Sequence, residues 1–263
     1  MLTDAVFRSV SAIPALQGQL KRLLLRLPSR RRVIEHRGQR LIVDPTELSG
    51  YYLYYEQAYD REVFDFLETV VSDYSRVLDV GANIGVYTVF FAARVPLVDA
   101  FEPVREVVPR LTENIALNGF SNVALHEVCV SGDDGIVQLI CPPCANLGIG
   151  HIAPKVGGFP CPSVCLDSFF GGYITEPTLI KMDIEGAEWM ALTGARSILR
   201  NRKAPLTILL EVHPQEIENY GGNVLAIYQS LLEAGLRVRT ITRPGLIDFS
   251  PKDPPRFWWA SGQ

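Results

Sequence analysis

The sequence has no apolar run of the ~18 to 20 residues that a membrane-spanning helix needs. Its start lacks the pattern of a signal peptide, because Asp4 and Arg8 interrupt it and no continuous apolar stretch follows. A reducing, cytoplasmic setting is therefore the expectation. Excess charge is missing too: 25 Lys and Arg stand against 29 Asp and Glu, a net charge of -4 at pH 7, so no nucleic-acid partner is expected. Cysteine is sparse, five in 263 residues, which disfavours a disulfide framework and leaves free thiols or metal ligands. Histidine is sparser still, with only His36, His126, His151 and His213. There is no internal repeat, and no linker clear enough to cut the chain in two.

What is present is an ordinary apolar fraction, 48%, in a chain long enough for one large domain or two small ones. Residues 1–30 place Val6, Val10, Ile13, Leu16, Leu20, Leu23, Leu24 and Leu27 at helical spacing, with Lys21, Arg22 and Arg26 between them and Pro14 as a kink. Such a helix either packs on the main domain or makes a peripheral contact with an anionic membrane surface. A small hairpin with Gly38 at its turn follows. Next come Tyr51, Tyr52, Tyr54, Tyr55 and Tyr59, which read equally as an acceptor wall or as packing.

From residue 76, short apolar strands near 76–80, 97–101, 123–129, 178–182 and 206–211 alternate with helical stretches near 85–94, 104–118, 186–200 and 223–234. This alternation predicts an α/β fold with a Rossmann-like, mostly parallel sheet and helices on both faces. Residues 132–177, rich in Gly, Pro and Cys, read as a β-rich insertion of short strands and loops without a good helix. The final apolar strand, with Trp258 and Trp259, suits an antiparallel pair closing the sheet. The chain then divides into an N-terminal helix and hairpin extension, 1–54, packed on a main domain, 55–263.

The stretch "VLDVGANIGVYT", 77–88, puts Asp79 inside a core strand and Gly81, Asn83 and Gly85 at its exit. In a parallel sheet, ligands bind outside the carboxyl ends of the strands. Glycine lets the backbone turn sharply and approach a ligand, and Asn tolerates the left-handed conformation. The next helix offers free backbone N–H groups. Yet the stretch is neither G-x-G-x-x-G nor G-x-x-x-x-G-K-[ST], and Asp79 suits an ammonium group better than a pyrophosphate. Glu102 stands at the tip of the second strand, in "VDAFEP", where an acid commonly binds ribose hydroxyls. A nucleoside with a positive centre satisfies both acids, and S-adenosylmethionine is one. Plainer roles exist for each residue, such as Asp79 capping its turn. An NAD-dependent oxidoreductase and a non-catalytic binding module on the same fold stand as alternatives.

Together "VLDVGANIGVYT", "AFEP", "TENIALNGF", "LIKMDIEGAEWMALTGA" and "EVHP" resemble the FkbM-type methyltransferases, over about Tyr55 to His213. The resemblance implies a class I, S-adenosylmethionine-dependent enzyme with a seven-stranded sheet, its last strand antiparallel. It also implies O-methylation of a hydroxyl on a small-molecule or glycan acceptor, a sugar or a secondary metabolite. The Asp183–Glu185 segment would then border both the methionine part of the cofactor and the acceptor. The usual Glu-Pro pair of the entry helix is replaced here by Asp60 and Arg61.

Asp183 and Glu185 follow the fourth parallel strand and either line the site or cap the next helix. His213 ends the fifth strand and is the candidate general base, with a purely structural hydrogen bond as the alternative. Glu211 points to the same side as His213. Convergence of Asp183, Glu185 and Glu211 would suit a divalent metal, although none is assigned. "SGDDG" after the third strand borders the expected adenine, with Cys129 and Ser131 nearest. Cys141, Cys144, Cys161 and Cys165 form two close pairs that suit a structural zinc or four free thiols, the latter being the expectation. Cys165 is expected to enter a strand.

Overall fold

The computed structural model describes residues 30–140, 151–152, 158–242, 245–249 and 257–262. The expected N-terminal helix and the Cys141–Cys144 pair lie outside them. The hairpin is present as β1 (Arg32–His36) and β2 (Gln39–Val43). Arg37 and Gly38 between them both have positive φ, 53° and 82°, which matches the twist of a two-residue hairpin turn. A helix, α1 (Leu48–Tyr51), runs on into a π-helical turn, Tyr52–Glu56, and α2 (Arg61–Val70) follows.

The first alternating half is β3 (Arg76–Val80), α3 (Val86–Ala92), β4 (Leu97–Phe101), α4 (Val108–Leu117) and β5 (Val123–His126). After β6 (Cys129–Val130), the insertion holds β7 (Gly135–Ile140), β8 (His151–Ile152), β9 (Phe159–Val164) and the helix α5 (Leu166–Phe170). The second half runs β10 (Thr178–Met182), α6 (Glu188–Thr193), α7 (Arg196–Arg200), β11 (Leu206–Glu211) and α8 (Pro214–Asn219). It closes with α9 (Val224–Glu233), β12 (Leu236–Ile241), β13 (Leu246–Asp248) and β14 (Phe257–Gly262).

The main sheet has the order β13-β12-β14-β11-β10-β3-β4-β5. Neighbours from β11 to β5 are parallel, and β14 slots antiparallel between β11 and β12. The expected seven strands are thus joined by β13, a short antiparallel edge. Every residue of β10 and β11 is buried, as central parallel strands covered on both faces require. Val77, Leu179 and Leu209 pack into the core on one face, and Leu78, Ile180 and Ile208 into the core on the other. Asn114 of α4 fastens the hairpin to the sheet domain: its Oδ1 accepts from Ile42 N (2.7 Å) and its Nδ2 donates to Ile84 O (2.8 Å).

Three elements differ from expectation. The helix expected over 186–200 breaks at Gly194, where a Cβ would meet Cys165 Cβ at 2.8 Å and Gly132 O at 2.9 Å. The strand expected over 123–129 divides into β5 and β6. The insertion does contain a helix, α5, and Cys165 begins it instead of entering a strand: its sulfur accepts from Ser168 N at 3.4 Å. Among the described residues, no helix is long and apolar enough to cross a membrane.

Candidate active site

The carboxyl ends of β3, β4, β10 and β11 open into one cavity of ≈ 350 Å³. At its β3–β4 end the backbone does the shaping. Gly81 N and Ala82 N both donate to Phe101 O at 3.0 Å. Gly81 has φ 80°, and a Cβ on it would collide with the Asp183 carbonyl oxygen, so only glycine lets the two loops meet. Asn83 adopts the left-handed conformation, φ 51°, and its N–H donates to Glu102 Oε2 at 2.7 Å. Val104 N donates to the other oxygen at 2.9 Å. Burial pushes Glu102 up to about 7, outweighing these two N–H groups. Each of its oxygens keeps a second lone pair for a ligand hydroxyl. Phe101, Val128, Cys129, Val130 and Leu139 form an apolar slot beside it.

Three of the residues anticipated for the cofactor stand outside the cavity wall. Gly85, φ 90°, serves packing, because a Cβ there would meet Leu111 Cδ1 at 2.6 Å. Ser131 is buried and its N–H donates to Val164 O. Asp79 is fully buried beneath the floor; its Oδ2 accepts from Thr88 Oγ1 at 2.6 Å and its Oδ1 lies 3.2 Å from Lys181 Nζ.

Lys181 is the residue that sequence reasoning missed. It is paired with Asp79 by the β3–β10 register and donates to Gly81 O at 3.0 Å. Its Nζ lies 3.8 Å from Asp183 Oδ2 and 5.0 Å from the centre of the Tyr87 ring. Burial opposes its charge, but Asp79, Asp183 and Glu211 outweigh burial and hold its pKa above the ordinary lysine value. The available signal was a lysine in the middle of an otherwise apolar strand, "TLIKM".

At the β10–β11 end, side chains do the shaping. Met182 pairs with Leu210, so Asp183 continues opposite Glu211, and His213 lies two residues on from Glu211. One polar atom from each of Asp183, Glu211 and His213 lies within 4.8 Å of the others. His213 Nε2 is 3.3 Å from Glu211 Oε1 and 4.0 Å from Glu185 Oε2, and its Nδ1 is 3.7 Å from Glu188 Oε1. Burial disfavours the imidazolium, but Glu188 and Glu211 outweigh that and push His213 up to about 11. Burial, then Glu211, raises Asp183 well above the carboxylate range against the pull of Lys181. Burial also raises Glu185, although His213 opposes it.

Glu185 takes a left-handed φ of 53°, followed by Gly186 at 100°. A Cβ on Gly186 would lie 2.5 Å from Glu216 Cβ, so this loop is wedged against α8. Tyr52 and Tyr59 also line the cavity, together with Asp60, which accepts from Tyr87 Oη at 3.0 Å. Cys161 lies buried in β9 with its sulfur 3.5 Å from Cys129 Sγ.

The model of the FkbM methyltransferase domain matches residues 79–238, more than half of the chain. The chain belongs to this family. It is an S-adenosylmethionine-dependent methyltransferase, and the oxidoreductase alternative falls. A search of curated proteins returns no match. Among solved structures, the methyltransferase is similar to a putative methyltransferase from Streptococcus mutans solved with SAH (17% identity, 77% of this chain and 96% of that one, TM-score 0.43). It is also similar to TYW2 of M. jannaschii in complex with AdoMet (14%, 89% and 85%, TM-score 0.43). A third is a putative S-adenosylmethionine-dependent methyltransferase from Listeria monocytogenes (11%, 78% and 99%, TM-score 0.44).

The cavity fits S-adenosylmethionine on its own terms. Glu102 offers acceptors for a ribose diol, and the slot beside it suits a flat base. The missing side chain at Gly81 leaves a close approach to the backbone, and Asp183 borders the far end.

Proposed function

We propose that this methyltransferase acts on a hydroxyl of a sugar, glycan or other small metabolite, in a reducing, cytoplasmic setting. The observation that carries the reading is the convergence of His213, Glu211 and Asp183 at the end of the cavity away from Glu102. Carboxylates and an imidazole are acceptors that hold a hydroxyl and take its proton. The rings of Tyr52 and Tyr59 give an amphipathic acceptor an apolar face to lie on. S-adenosylmethionine, when bound, supplies a methyl group on a cationic sulfur that an acceptor oxygen displaces in line. Orientation over the cluster contributes most of the rate, and proton removal the rest. Without ligands His213 is an imidazolium, so it is not yet a base. A second positive charge entering the cavity lowers its proton affinity again.

The test is labelled-methyl transfer to a panel of sugars, glycans and hydroxylated or aminated metabolites, run with wild type and His213→Ala. Transfer to oxygen, with turnover lowered by ~10²- to 10⁴-fold in the variant and unchanged affinity for S-adenosylhomocysteine, is expected. Transfer only to amines, or undiminished turnover in His213→Ala, would refute the reading.

A further inference from the structure

We propose that Asp183, Glu211 and His213 form a divalent-cation site of manganese type at the acceptor end of the cavity. The proposal rests on the hydroxyl-transfer reading of that end and deepens it. Adjacent parallel strands run ~4.8 Å apart, so the register that sets Met182 beside Leu210 brings two carboxylates face to face at the next position. Like charges placed directly opposite are destabilising unless a cation lies between them. Lys181 only grazes Asp183, at 3.8 Å, its ammonium being held by Gly81 O and Asp79; without an ion the His213 imidazolium, 3.3 Å from Glu211, is the counter-charge, and an ion takes over that part. The ligand atoms lie within 4.8 Å of one another, with His213 Nε2 already 3.3 Å from Glu211 Oε1, and side-chain rotation must bring them to about 3 Å apart around an ion at ~2.0 to 2.2 Å.

An independent observation comes from Glu188. It is fully buried; Oε1 accepts from Ile184 N and Gly186 N, and Oε2 has no hydrogen-bond partner. This carboxylate lies behind the imidazole, 3.7 Å from His213 Nδ1, an atom that also has no partner. A carboxylate at the back of a histidine, with the other ring nitrogen turned to further carboxylates, is the outer layer of a histidine metal ligand. A shift of about half an ångström would make it a hydrogen bond that holds the proton on Nδ1 and leaves Nε2 for the ion. Two carboxylates favour Mg²⁺ or Mn²⁺ and the imidazole favours a transition metal, so Mn²⁺ meets both preferences. Among the described residues no other group of His, Cys, Asp and Glu has this spacing.

An ion held by Asp183, Glu211 and His213 would polarise an acceptor hydroxyl in the cavity and lower its pKa. His213 then holds the ion, and the hydroxyl proton passes to the Glu185 carboxylate, 4.0 Å from His213 Nε2. The acceptor oxygen's electron pair forms the new O–CH₃ bond, and the S–CH₃ pair returns to sulfur. An acceptor with two neighbouring oxygens chelates the ion best.

The test is calorimetric titration of the ligand-free, full-length chain with MnCl₂, with MgCl₂ and ZnCl₂ in parallel. The proteins are wild type, Glu211→Gln, Asp183→Asn and Glu188→Gln, each confirmed folded by circular dichroism. One Mn²⁺ per chain is expected, bound more tightly than Mg²⁺ and weakened at least tenfold in each variant. No saturable Mn²⁺ binding below 1 mM (about the weakest affinity a built site would show), or equal affinity in all four proteins, would overturn the site. Titration with S-adenosylhomocysteine in excess chelator should give the same affinity in wild type and Glu188→Gln. That arm probes the cofactor end alone, and the acceptor panel, run on wild type with and without added MnCl₂, asks only whether the methyl goes to oxygen or to nitrogen, which the cation site does not decide. Failure of either is therefore distinct from failure of the cation site.

Discussion

At the β3–β4 end of the cavity the site is made of backbone: Gly81, Asn83 and the N–H groups that grip Glu102. At the β10–β11 end it is made of side chains: Asp183, Glu185, Glu211 and His213, drawn together by strand register. A backbone site tolerates almost no exchange of residue but is electrostatically quiet, with a single acid at the wall. A side-chain site concentrates charge in a small volume and depends on every member for balance. Lys181 joins the two, touching Gly81 O on one side and facing Asp183 on the other.

The contrast can be broken first at that junction. Lys181→Met leaves Asp79 buried without its ion pair and should cost about 3 to 5 kcal/mol in urea unfolding. Adding Asp79→Asn should return much of the loss; a Lys181→Met protein of parental stability would remove the bridge altogether. Next, Gly81→Ala should destabilise by about 3 kcal/mol, because it combines a left-handed φ with a clash against fixed backbone. Gly85→Ala should cost only about 1 to 2 kcal/mol, since its Cβ meets the movable end of Leu111. Equal penalties at the two glycines would mean that the Gly81–Asp183 contact is not what demands glycine.

Two further substitutions should separate the ends by function. Glu102→Ala should weaken S-adenosylhomocysteine by about 1 to 3 kcal/mol in calorimetry, with turnover at saturation largely kept. His213→Ala should do the reverse. The smallest signal is in pH. Burial pushes Glu102 up to about 7 in the folded protein from the ordinary glutamate value of 4.5. The stability that its protonated form lends is full below 4.5 and is lost as pH rises through 7. Affinity for S-adenosylhomocysteine should move the opposite way, rising from pH 6 to 8 as the carboxylate forms. Glu102→Gln should flatten both profiles, and parallel profiles for variant and wild type would assign the ionisation to another group.

The strands were legible because a parallel sheet demands apolar runs: 76–80, 97–101, 178–182 and 206–211 coincide with β3, β4, β10 and β11. The turn at the exit of β3 was legible because a strand followed by Gly81, Asn83 and Gly85 is a local pattern, and all three have positive φ. Its inner detail was not, since β3 is buried on both faces and alternation cannot say whether Asp79 faces the cavity or the floor. Lys181 escaped notice because its partner is Asp79, about a hundred residues earlier, and register is not written in either segment. The break at Gly194 was hidden for the same reason, being caused by Cys165 and Gly132 from the insertion.

The wedge between Gly186 and Glu216 bears on how this enzyme changes over generations. It makes the loop of Asp183 and Glu185 and the helix after His213 a single rigid block. Neither half can drift alone without prising the other away. On the acceptor reading proposed above, changes in acceptor preference should therefore fall on the part of the wall formed by Tyr52 and Tyr59, which come from a separate segment. A lineage can exchange that wall repeatedly while the machinery behind it stays as it was.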